Sequence, residues 1–375
     1  MVDPAPLIEV SGKPHERGVS YGRQAAARIH RGVGHYTEQL QRSQFTWPDV
    51  CTAVHEYLPT IEAFDASFVE EMRGIAVGAA IDFEAIVLLN ARTELLQMAT
   101  RRARGGVPDD DPDGCTGVVV LPSAARDGRT IHAQNWDWKA ECAHTAVVLK
   151  VRHDDRPDVL TFTEAGALGR CGMNSVGIAI TANYLESDRD YRDLGVPLAL
   201  IRRKVLEQEH LALAMRTVYV TRKSASNNMI VSHAQGVAID FECAPDESFQ
   251  VHPRDGLLVH ANHWVSPVAL SKLTDTGVAS TPDSLYRDLR VRSLLEPHIG
   301  KIGRDTVQAA LFDNFASPWS VCRPPRPSLS SNLSATVAMV VMEAGAGLME
   351  VAMLPSQNRE FTRYTLESSF QALAA

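Results

Sequence analysis

Apolar residues in the first hundred positions recur every three or four residues, which is the spacing of one face of an α-helix. The pattern predicts helices over residues 15–41, 48–64, 67–81 and 83–98. Pro14 and Pro48 stand near the starts of two of these segments, where the missing N–H of proline is tolerated. We therefore expect a helical N-terminal part.

Residues 101–113 have no periodicity. Arginine, glycine and proline occupy the first half of this segment, and the second half is Asp109-Asp110-Asp111-Pro112-Asp113. Such a composition buries little apolar surface and favours a solvated, flexible connector.

Short runs of β-branched and apolar residues follow the connector and predict strands. They lie at residues 117–121, 130–136, 146–151, 159–164, 177–182, 229–233, 237–242, 257–260 and 335–342. Asp127-Gly128 predicts a turn that makes the first two strands a hairpin. Helices are predicted at residues 197–209, 283–295 and 304–314. The order of elements favours antiparallel sheets covered by helical layers.

Composition and charge narrow the classes of protein. The chain has 375 residues, of which 45% are hydrophobic and 22% charged, as in globular proteins. Its net charge of −8 argues against a general nucleic-acid binder, and no uncharged run reaches the roughly 18 residues of a membrane helix. Residues 1–18 lack the apolar core of a secretory signal. We expect a cytoplasmic enzyme or binding protein without nucleic-acid or membrane partners.

The six cysteines are scattered, and none lies within three residues of another, so no zinc knuckle or CxxC redox pair is present. Four of them are interpreted as buried hydrophobic side chains: Cys51, Cys142, Cys171 and Cys243.

Cys115 differs because it follows Asp113-Gly114 directly and precedes the first predicted strand. If the Gly114–Cys115 bond is cut, Cys115 holds a thiol with a reference pKa of about 8.5 and an α-amine with one of about 7.7–8.0. One residue would then supply both nucleophile and base. Glycine leaves the preceding carbonyl open to attack by the same thiol.

Several segments, in this order, resemble the acyl-CoA:6-aminopenicillanic acid acyltransferase (isopenicillin N acyltransferase) family of self-processing N-terminal-nucleophile hydrolases. The segments are residues 70–76, 88–95, Asp113-Gly114-Cys115-Thr116, Gln134-Asn135-Trp136-Asp137-Trp138, Thr163-Glu164-Ala165-Gly166, residues 172–179, His260-Ala261-Asn262-His263, Asp283-Ser284 with Arg287 and Arg290, and Ser320-Val321-Cys322-Arg323.

The resemblance implies an α+β fold, a four-layer αββα sandwich with two antiparallel sheets between helical layers. It also implies cleavage of the chain at Gly114–Cys115. An α chain of residues 1–114, ending in the connector, and a β chain of residues 115–375 would remain together as one composite domain and a heterodimer. No cofactor and no metal ion are implied.

The same resemblance implies roles for five residues. Cys115 corresponds to the nucleophile, Asp137 to the carboxylate that holds its amine, and Asn262 to the donor at the oxyanion. Asn183 corresponds to a second asparagine contact in the related bile-salt and penicillin V acylases. Arg323 corresponds to an active-site arginine, with Arg326 as the alternative.

The expected activity is hydrolysis of a linear amide, of non-peptide or N-acyl amino acid type, through a thioester on Cys115. Acyl-CoA-dependent N-acyl transfer with the same site is the alternative. A metal-dependent amidase using His260 and His263, which strand alternation would direct apart, is a remoter interpretation, as is an inactive scaffold. Arg202-Arg203-Lys204 either meets a phosphate of an acyl-CoA or forms a solvated helix face.

Overall fold

A computed structural model describes residues 2–103, 114–327 and 333–369 of the chain. Most of the predicted connector, from residue 104 to residue 113, lies outside the described residues. The described residues form two β-sheets that pack face to face between layers of helices. The expected four-layer αββα sandwich is confirmed. No helix in these three ranges is long and apolar enough to cross a membrane.

Four helices make up most of the first hundred residues: α1 (Pro14–Arg42), α2 (Trp47–Ala79), α3 (Phe83–Asn90) and α4 (Arg92–Ala103). Asp65 interrupts α2 with non-helical dihedral angles, and its carboxylate accepts the N–H of Ser67 at 2.9 Å. The predicted boundary between residues 64 and 67 therefore marks a kink, with Asp65 capping the second half of α2.

The predicted single helix over residues 83–98 is wrong, because it divides after Asn90. The Asn90 side chain donates to the carbonyl of Gly166 at 3.0 Å and accepts the N–H of Leu168 at 2.9 Å. These bonds tie the end of α3 to residues 166–168, and α4 begins at Arg92. Residues of α4 line the same space as Cys115.

Glycines allow α1 and α2 to pack with their backbones in contact. A Cβ atom at Gly18 would lie 2.1 Å from the carbonyl oxygen of Glu71. Cβ atoms at Gly22, Gly74 and Gly78 would each lie 2.2 Å from a backbone oxygen of the other helix. Any larger residue at these positions would force the helices apart.

The first sheet has eight strands in the order β1-β4-β5-β6-β7-β8-β9-β10. They are β1 (Leu7–Val10), β4 (Ala146–Val151), β5 (Val159–Glu164), β6 (Cys171–Asn174), β7 (Ile178–Tyr184), β8 (Asn227–His233), β9 (Val237–Cys243) and β10 (Ser248–Val251). All neighbours are antiparallel except β1, which runs parallel to β4. The four-residue strands β1, β6 and β10 lie outside the predicted ranges, because so short a run carries little periodic signal.

The second sheet has the order β11-β2-β3-β13-β14-β15, with β12 paired to β13. Its strands are β2 (Cys115–Val120), β3 (Ile131–Lys139), β11 (Leu257–His260), β12 (Arg326–Pro327), β13 (Leu333–Glu343), β14 (Leu348–Met353) and β15 (Thr362–Thr365). β2 and β3 form the predicted hairpin, and Gly128 in their connection has a φ of +62°. The last two strands are also outside the predicted ranges.

Helices cover the outer face of each sheet. α1, α5 (Leu198–Leu206) and α6 (Leu211–Val220) lie on the first sheet, and α2 packs against α1. α7 (Pro267–Leu270) is a single turn after β11, and α8 (Ser284–Leu295) and α9 (Arg304–Leu311) lie on the second sheet. Because both faces of β2 and β3 are covered, every residue of these strands is buried.

Candidate active site

Cys115 is the first residue of β2 and pairs in register with Trp136 of β3. Its side chain is only 5% exposed. The exposed part lies in a cleft with about 570 Å³ of empty space, which is lined by residues of α4, β3, β7 and α5. The nucleophile candidate is therefore held by a sheet and lines a cleft.

The peptide bond before Cys115 is fixed on both sides. The backbone nitrogen of Cys115 donates to Oδ1 of Asn262 at 2.7 Å, and the carbonyl oxygen of Gly114 accepts the N–H of Asp137 at 2.9 Å. A Cβ atom at position 114 would lie 2.9 Å from Oδ2 of Asp137 and 3.0 Å from both terminal nitrogens of Arg323. Only glycine fits here without displacing these charged groups.

Asp137 is fully buried and has two polar partners at the end of β3. Thr336 Oγ1 donates to its Oδ1 at 2.6 Å, and Arg323 Nε lies 3.3 Å from its Oδ2. Burial raises the pKa of the Asp137 carboxyl, whereas the charges of Arg323 and Arg287 oppose that rise.

The two candidate arginines are separated clearly. Arg323 is buried between the carboxylates of Asp137 and Asp283. Arg326 instead lies on β12 with its guanidinium 5.2 Å from the ring of Trp319. Of the two candidates, Arg323 is the arginine that lies beside Asp137.

Asn262 lies in the loop after β11 and turns its amide oxygen toward the nucleophile. Its Oδ1 accepts from Cys115 and from Nη2 of Arg287 at 2.8 Å, while its Nδ2 donates to the carbonyl of Tyr184 at 2.8 Å. Arginine can only donate and a carbonyl can only accept, so these partners fix which end of the amide is which. In this arrangement Asn262 orients the nitrogen of Cys115.

Asn183 contributes to the support of the site and does not line the cleft. Its Nδ2 donates to the carbonyls of His260 and Ala261, both at 2.9 Å, and its Oδ1 accepts from Gln134 at 2.8 Å. The side chain thus holds the backbone that leads into Asn262. Asn183 therefore lies behind the residues that line the cleft and not at a position that contacts a substrate.

Arg287 is a central residue that the sequence-based site omits. It is fully buried and donates to the carbonyl of Cys115 at 2.7 Å, to Thr116 Oγ1 at 2.9 Å and to Asp283 Oδ2 at 2.7 Å. Burial opposes ionisation of Asp283, but Arg287 and Arg323 together hold the pKa of its carboxyl below the ordinary value. The four-residue spacing of Asp283 and Arg287 on one helix face was the available signal.

Three arginines form the wall of the cleft: Arg92, Arg170 and Arg202. Arg202 is 9% exposed and Arg203 is fully buried, so the interpretation of this segment as a solvated helix face is wrong. The reason is that α5 packs on β6 and β7, which covers the side that bears both residues.

The environment of the thiol sets its ionisation. Burial raises the pKa of the Cys115 thiol, the charge of Arg170 opposes this, and the carboxylate of Asp137 adds to it. Arg170 Nη2 lies 3.6 Å from Sγ. A thiol with a raised pKa needs a base for activation at neutral pH.

The two histidines after β11 lie together, contrary to the expectation that they point apart. Their rings stack with centroids 6.2 Å apart, because the strand ends at His260 and the chain turns. His260 Nε2 lies 2.8 Å from Oε1 of Glu242 and 3.7 Å from Oδ2 of Asp240. Within the described ranges no three His, Cys, Asp or Glu side chains are grouped as metal ligands.

A model of the acyl-coenzyme A:6-aminopenicillanic acid acyl-transferase family matches residues 124–352. The chain belongs to this family. It is 28% identical over 327 residues to the 40 kDa form of acyl-coenzyme A:6-aminopenicillanic-acid-acyltransferase from Emericella nidulans, and the match covers 84% of each chain.

Solved structures with a similar fold include a variant of the conjugated bile acid hydrolase of Clostridium perfringens, with a TM-score of 0.48, 12% identity and coverage of 67% of this chain and 92% of that one. Another is penicillin V acylase from Agrobacterium tumefaciens, with a TM-score of 0.44, 15% identity and coverage of 68% and 88%. The family assignment makes the chain an enzyme of the N-terminal nucleophile hydrolase and acyltransferase class that acts on amide bonds.

Proposed function

We propose that the chain cuts itself between Gly114 and Cys115 and then works as a cysteine amidohydrolase through a thioester on Cys115. The α chain would comprise residues 1–114 and the β chain residues 115–375. The observation that carries the proposal is the position of Cys115 at the start of a buried strand, with its nitrogen 2.7 Å from Asn262 and its thiol in the cleft.

The first step is an attack by Sγ of Cys115 on the carbonyl carbon of Gly114. The Asp137 N–H, 2.9 Å from that carbonyl oxygen, would stabilise the oxyanion. The S–C bond forms, the peptide C–N bond breaks, and the thiol proton goes to the departing nitrogen. Water then hydrolyses the thioester, which leaves a carboxylate on Gly114 and a free α-amine on Cys115.

Turnover repeats this chemistry on an external amide. The α-amine takes the proton of the thiol and delivers it to the leaving amine. Asn262 Oδ1 orients the amine, the carboxylate of Asp137 stabilises its positive charge, and Arg323 holds Asp137 in place. Asn262 has a second N–H on Nδ2 besides the one donated to Tyr184, and we assign the oxyanion of the substrate to it.

The expected substrate is a linear amide of non-peptide or N-acyl amino acid type. Hydrolysis is favoured over acyl transfer because a thioester acyl-enzyme that water can reach hydrolyses by default, whereas transfer needs a site that excludes water. The named relative from Emericella nidulans supports acyl transfer from a coenzyme A thioester as the second candidate. Adding an amine acceptor during turnover distinguishes the two, since only a transferase diverts the acyl group to it.

The test of self-processing is intact mass spectrometry under denaturing and reducing conditions. We expect two masses for the wild type, corresponding to residues 1–114 and 115–375, and one full-length mass for Cys115→Ala. Cys51→Ala, which removes a half-buried thiol from α2, is the matched control and should give two masses. A single uncut wild-type mass would contradict the proposal.

A further inference from the structure

The wall of the cleft opposite Asp137 concentrates positive charge. Arg92, Arg170 and Arg202 all line the same space as Cys115. Three guanidinium groups in a partly desolvated cleft repel one another unless anions compensate them. The partners of each arginine therefore show which charge is already neutralised.

Arg92 is neutralised within the protein. Its Nε lies 2.6 Å from Oε2 of Glu164, and its guanidinium lies 4.4 Å from the ring of Trp138. Burial would raise the pKa of Glu164, but Arg92 and Tyr36 hold it below the ordinary value, so the carboxylate is charged. This arginine is a structural part of the wall.

Within the three described ranges, Arg170 has an aromatic and a thiol partner but no anionic one. Its guanidinium stacks 4.2 Å from the ring of Trp136, and Nη2 reaches Sγ of Cys115. Its Nε is buried without a hydrogen-bond acceptor. Among the described residues no carboxylate lies within 4.0 Å of Arg170.

Arg202 is compared best with its neighbour Arg203 on the same helix. Arg203 is paired with Glu207 at 2.7 Å and with Glu71 at 3.4 Å. Arg202 has no hydrogen bond and no ion pair in the part of the chain that the structure describes, and its Nε is buried without an acceptor. Oε1 of Glu94 accepts the N–H of Leu198 instead of bonding to Arg202. Glu94 therefore affects the pKa of Arg202 only through the longer-range attraction between their charges.

The charge of Arg170 also perturbs Arg202. Burial, together with the charge of Arg170, lowers the pKa of Arg202 to about 9, which still leaves it positive at neutral pH. An uncompensated buried cation is unfavourable, and a protein keeps one mainly where a ligand supplies the counter-charge.

We propose that Arg202, with Arg170 beside it, binds a carboxylate of the substrate, so that the enzyme acts on amides that carry a carboxylate close to the reacting bond. The flat fork of a guanidinium matches a carboxylate with two parallel hydrogen bonds. The carboxylate belongs either to the amine, as in an N-acyl amino acid, or to the acyl group. This inference names the substrate class of the proposed function and rests on it.

A pair of thiol reagents tests the anion subsite without any turnover. Iodoacetate and iodoacetamide alkylate Cys115 in the same way but differ by one carboxylate. We measure the rate of each at Cys115 by mass spectrometry and take their ratio, which cancels the reactivity of the thiol itself. The iodoacetate to iodoacetamide ratio should exceed that of free cysteine by about tenfold, the size of one charge-assisted hydrogen bond.

Variants of Arg202 then locate the effect. Arg202→Gln should lower the ratio about tenfold, and Arg202→Lys, which keeps the charge but not the fork, should give an intermediate ratio. Arg216→Gln, which removes an exposed arginine from α6, should leave the ratio unchanged. An equal ratio in wild type and Arg202→Gln overturns the proposal. A wild-type ratio no higher than that of free cysteine overturns it even if Arg202→Gln does not fold.

Turnover identifies which side of the amide carries the carboxylate. N-butyryl-glycine is compared with N-butyryl-glycinamide, and glutaryl-p-nitroanilide with butyryl-p-nitroanilide. In one of the two pairs, kcat/KM for the substrate that carries the carboxylate should be about tenfold higher than kcat/KM for its neutral analogue. Arg202→Gln should remove that preference. Cleavage of neutral amides with equal efficiency in both pairs contradicts the inference but leaves the amidase intact. If none is cleaved, the proposed function fails, whereas the alkylation ratio still decides the subsite.

Discussion

Two groups of buried arginines flank Cys115 and differ in their partners. At the floor of the site, Arg323 lies between the carboxylates of Asp137 and Asp283, and Arg287 pairs with Asp283. Arg170 and Arg202, in the wall of the cleft, have no carboxylate within ion-pair distance in the described part of the chain. Among the described residues, the thiol of Cys115 therefore lies between two arginines whose charges are neutralised by carboxylates and two whose charges are not.

This difference indicates which buried charges stabilise the fold and which are available to bind a ligand. In the floor each guanidinium is bonded to groups that carry or hold the nucleophile, such as the Cys115 carbonyl and Asn262. Such a cluster fixes geometry and loses much stability when one member is removed. If Arg170 or Arg202 were removed from the wall, no carboxylate in the described part of the chain would lose an ion-pair partner, so the cost there should fall on substrate binding.

The largest effect on stability is expected for Arg323→Gln, because it leaves the buried carboxylate of Asp137 without its ion-pair partner, while Asp283 keeps Arg287. We expect a loss of about 3–5 kcal/mol in the free energy of unfolding. Urea denaturation in the Cys115→Ala background, which keeps a single chain, measures it. Arg192→Gln, which breaks an exposed pair with Asp188, is the control and should lose less than about 1 kcal/mol. Equal losses of unfolding free energy in Arg323→Gln and Arg192→Gln would contradict the expectation that the buried ion pair stabilises the fold more than the exposed pair does.

A pH dependence is expected for the His260 ion pair, which supports the loop that carries Asn262. Burial lowers the pKa of His260, but Asp240 and Glu242 raise it to about 9. The folded pKa lies above the unfolded value of about 6.5, so the stabilisation is complete below that pH and is lost as the pH rises through 9.

The His260→Gln variant measures this contribution. The difference in unfolding free energy from wild type should be roughly 1–3 kcal/mol larger at pH 6 than above pH 9. His298→Gln, at an exposed position beyond α8, is the control and should show no such slope. A pH-independent difference for His260→Gln would show that the ring is not charged in the folded protein.

A smaller loss is expected for Thr336→Val. The substitution removes the hydroxyl that donates to Asp137 at 2.6 Å and accepts the backbone N–H of Arg323 at 2.8 Å. We expect a loss of about 1–3 kcal/mol and slower self-cleavage, as seen by the fraction of uncut chain with time. Thr52→Val, at an exposed position of α2, should change neither quantity. Unchanged cleavage would mean that Thr336 does not orient Asp137.

The smallest effect, with the opposite sign, is expected for Arg202→Gln. Removing an unpaired buried cation should leave the unfolding free energy unchanged or raise it by about 1 kcal/mol. Thermal unfolding beside Arg216→Gln, expected within about 0.5 kcal/mol of wild type, measures it. A loss above about 2 kcal/mol would show that Arg202 has a structural partner and would remove the contrast between wall and floor.

Some of these features could be predicted from the sequence because they are local. The hairpin predicted over residues 117–121 and 130–136, with its turn at Gly128, follows from a β-branched run and a turn dipeptide. Helices and strands with strong periodicity were predicted within a few residues. Short strands such as β1 and β6 were not, because pairing rather than periodicity defines them.

The burial of the arginines could not be predicted in this way. The sequence favours a solvated helix face for Arg202 and Arg203. The packing of α5 instead places Arg202 in the cleft and pairs Arg203 with Glu71 and Glu207. The orientation of the Asn262 amide is likewise set by Arg287 and Tyr184, which are distant in sequence. Tertiary contacts override the helix-face pattern here.

The parallel pairing of β1 with β4 has a consequence for the lifetime of the protein. Leu7 to Val10 belong to the first 114 residues, yet they hydrogen-bond to Val148 to Val151 beyond the proposed cut. After cleavage, the halves of an unfolded molecule must find each other by diffusion, so refolding depends on concentration while unfolding does not. The processed enzyme would then persist through a slow unfolding rate, and a molecule that once unfolds in dilute solution would be lost.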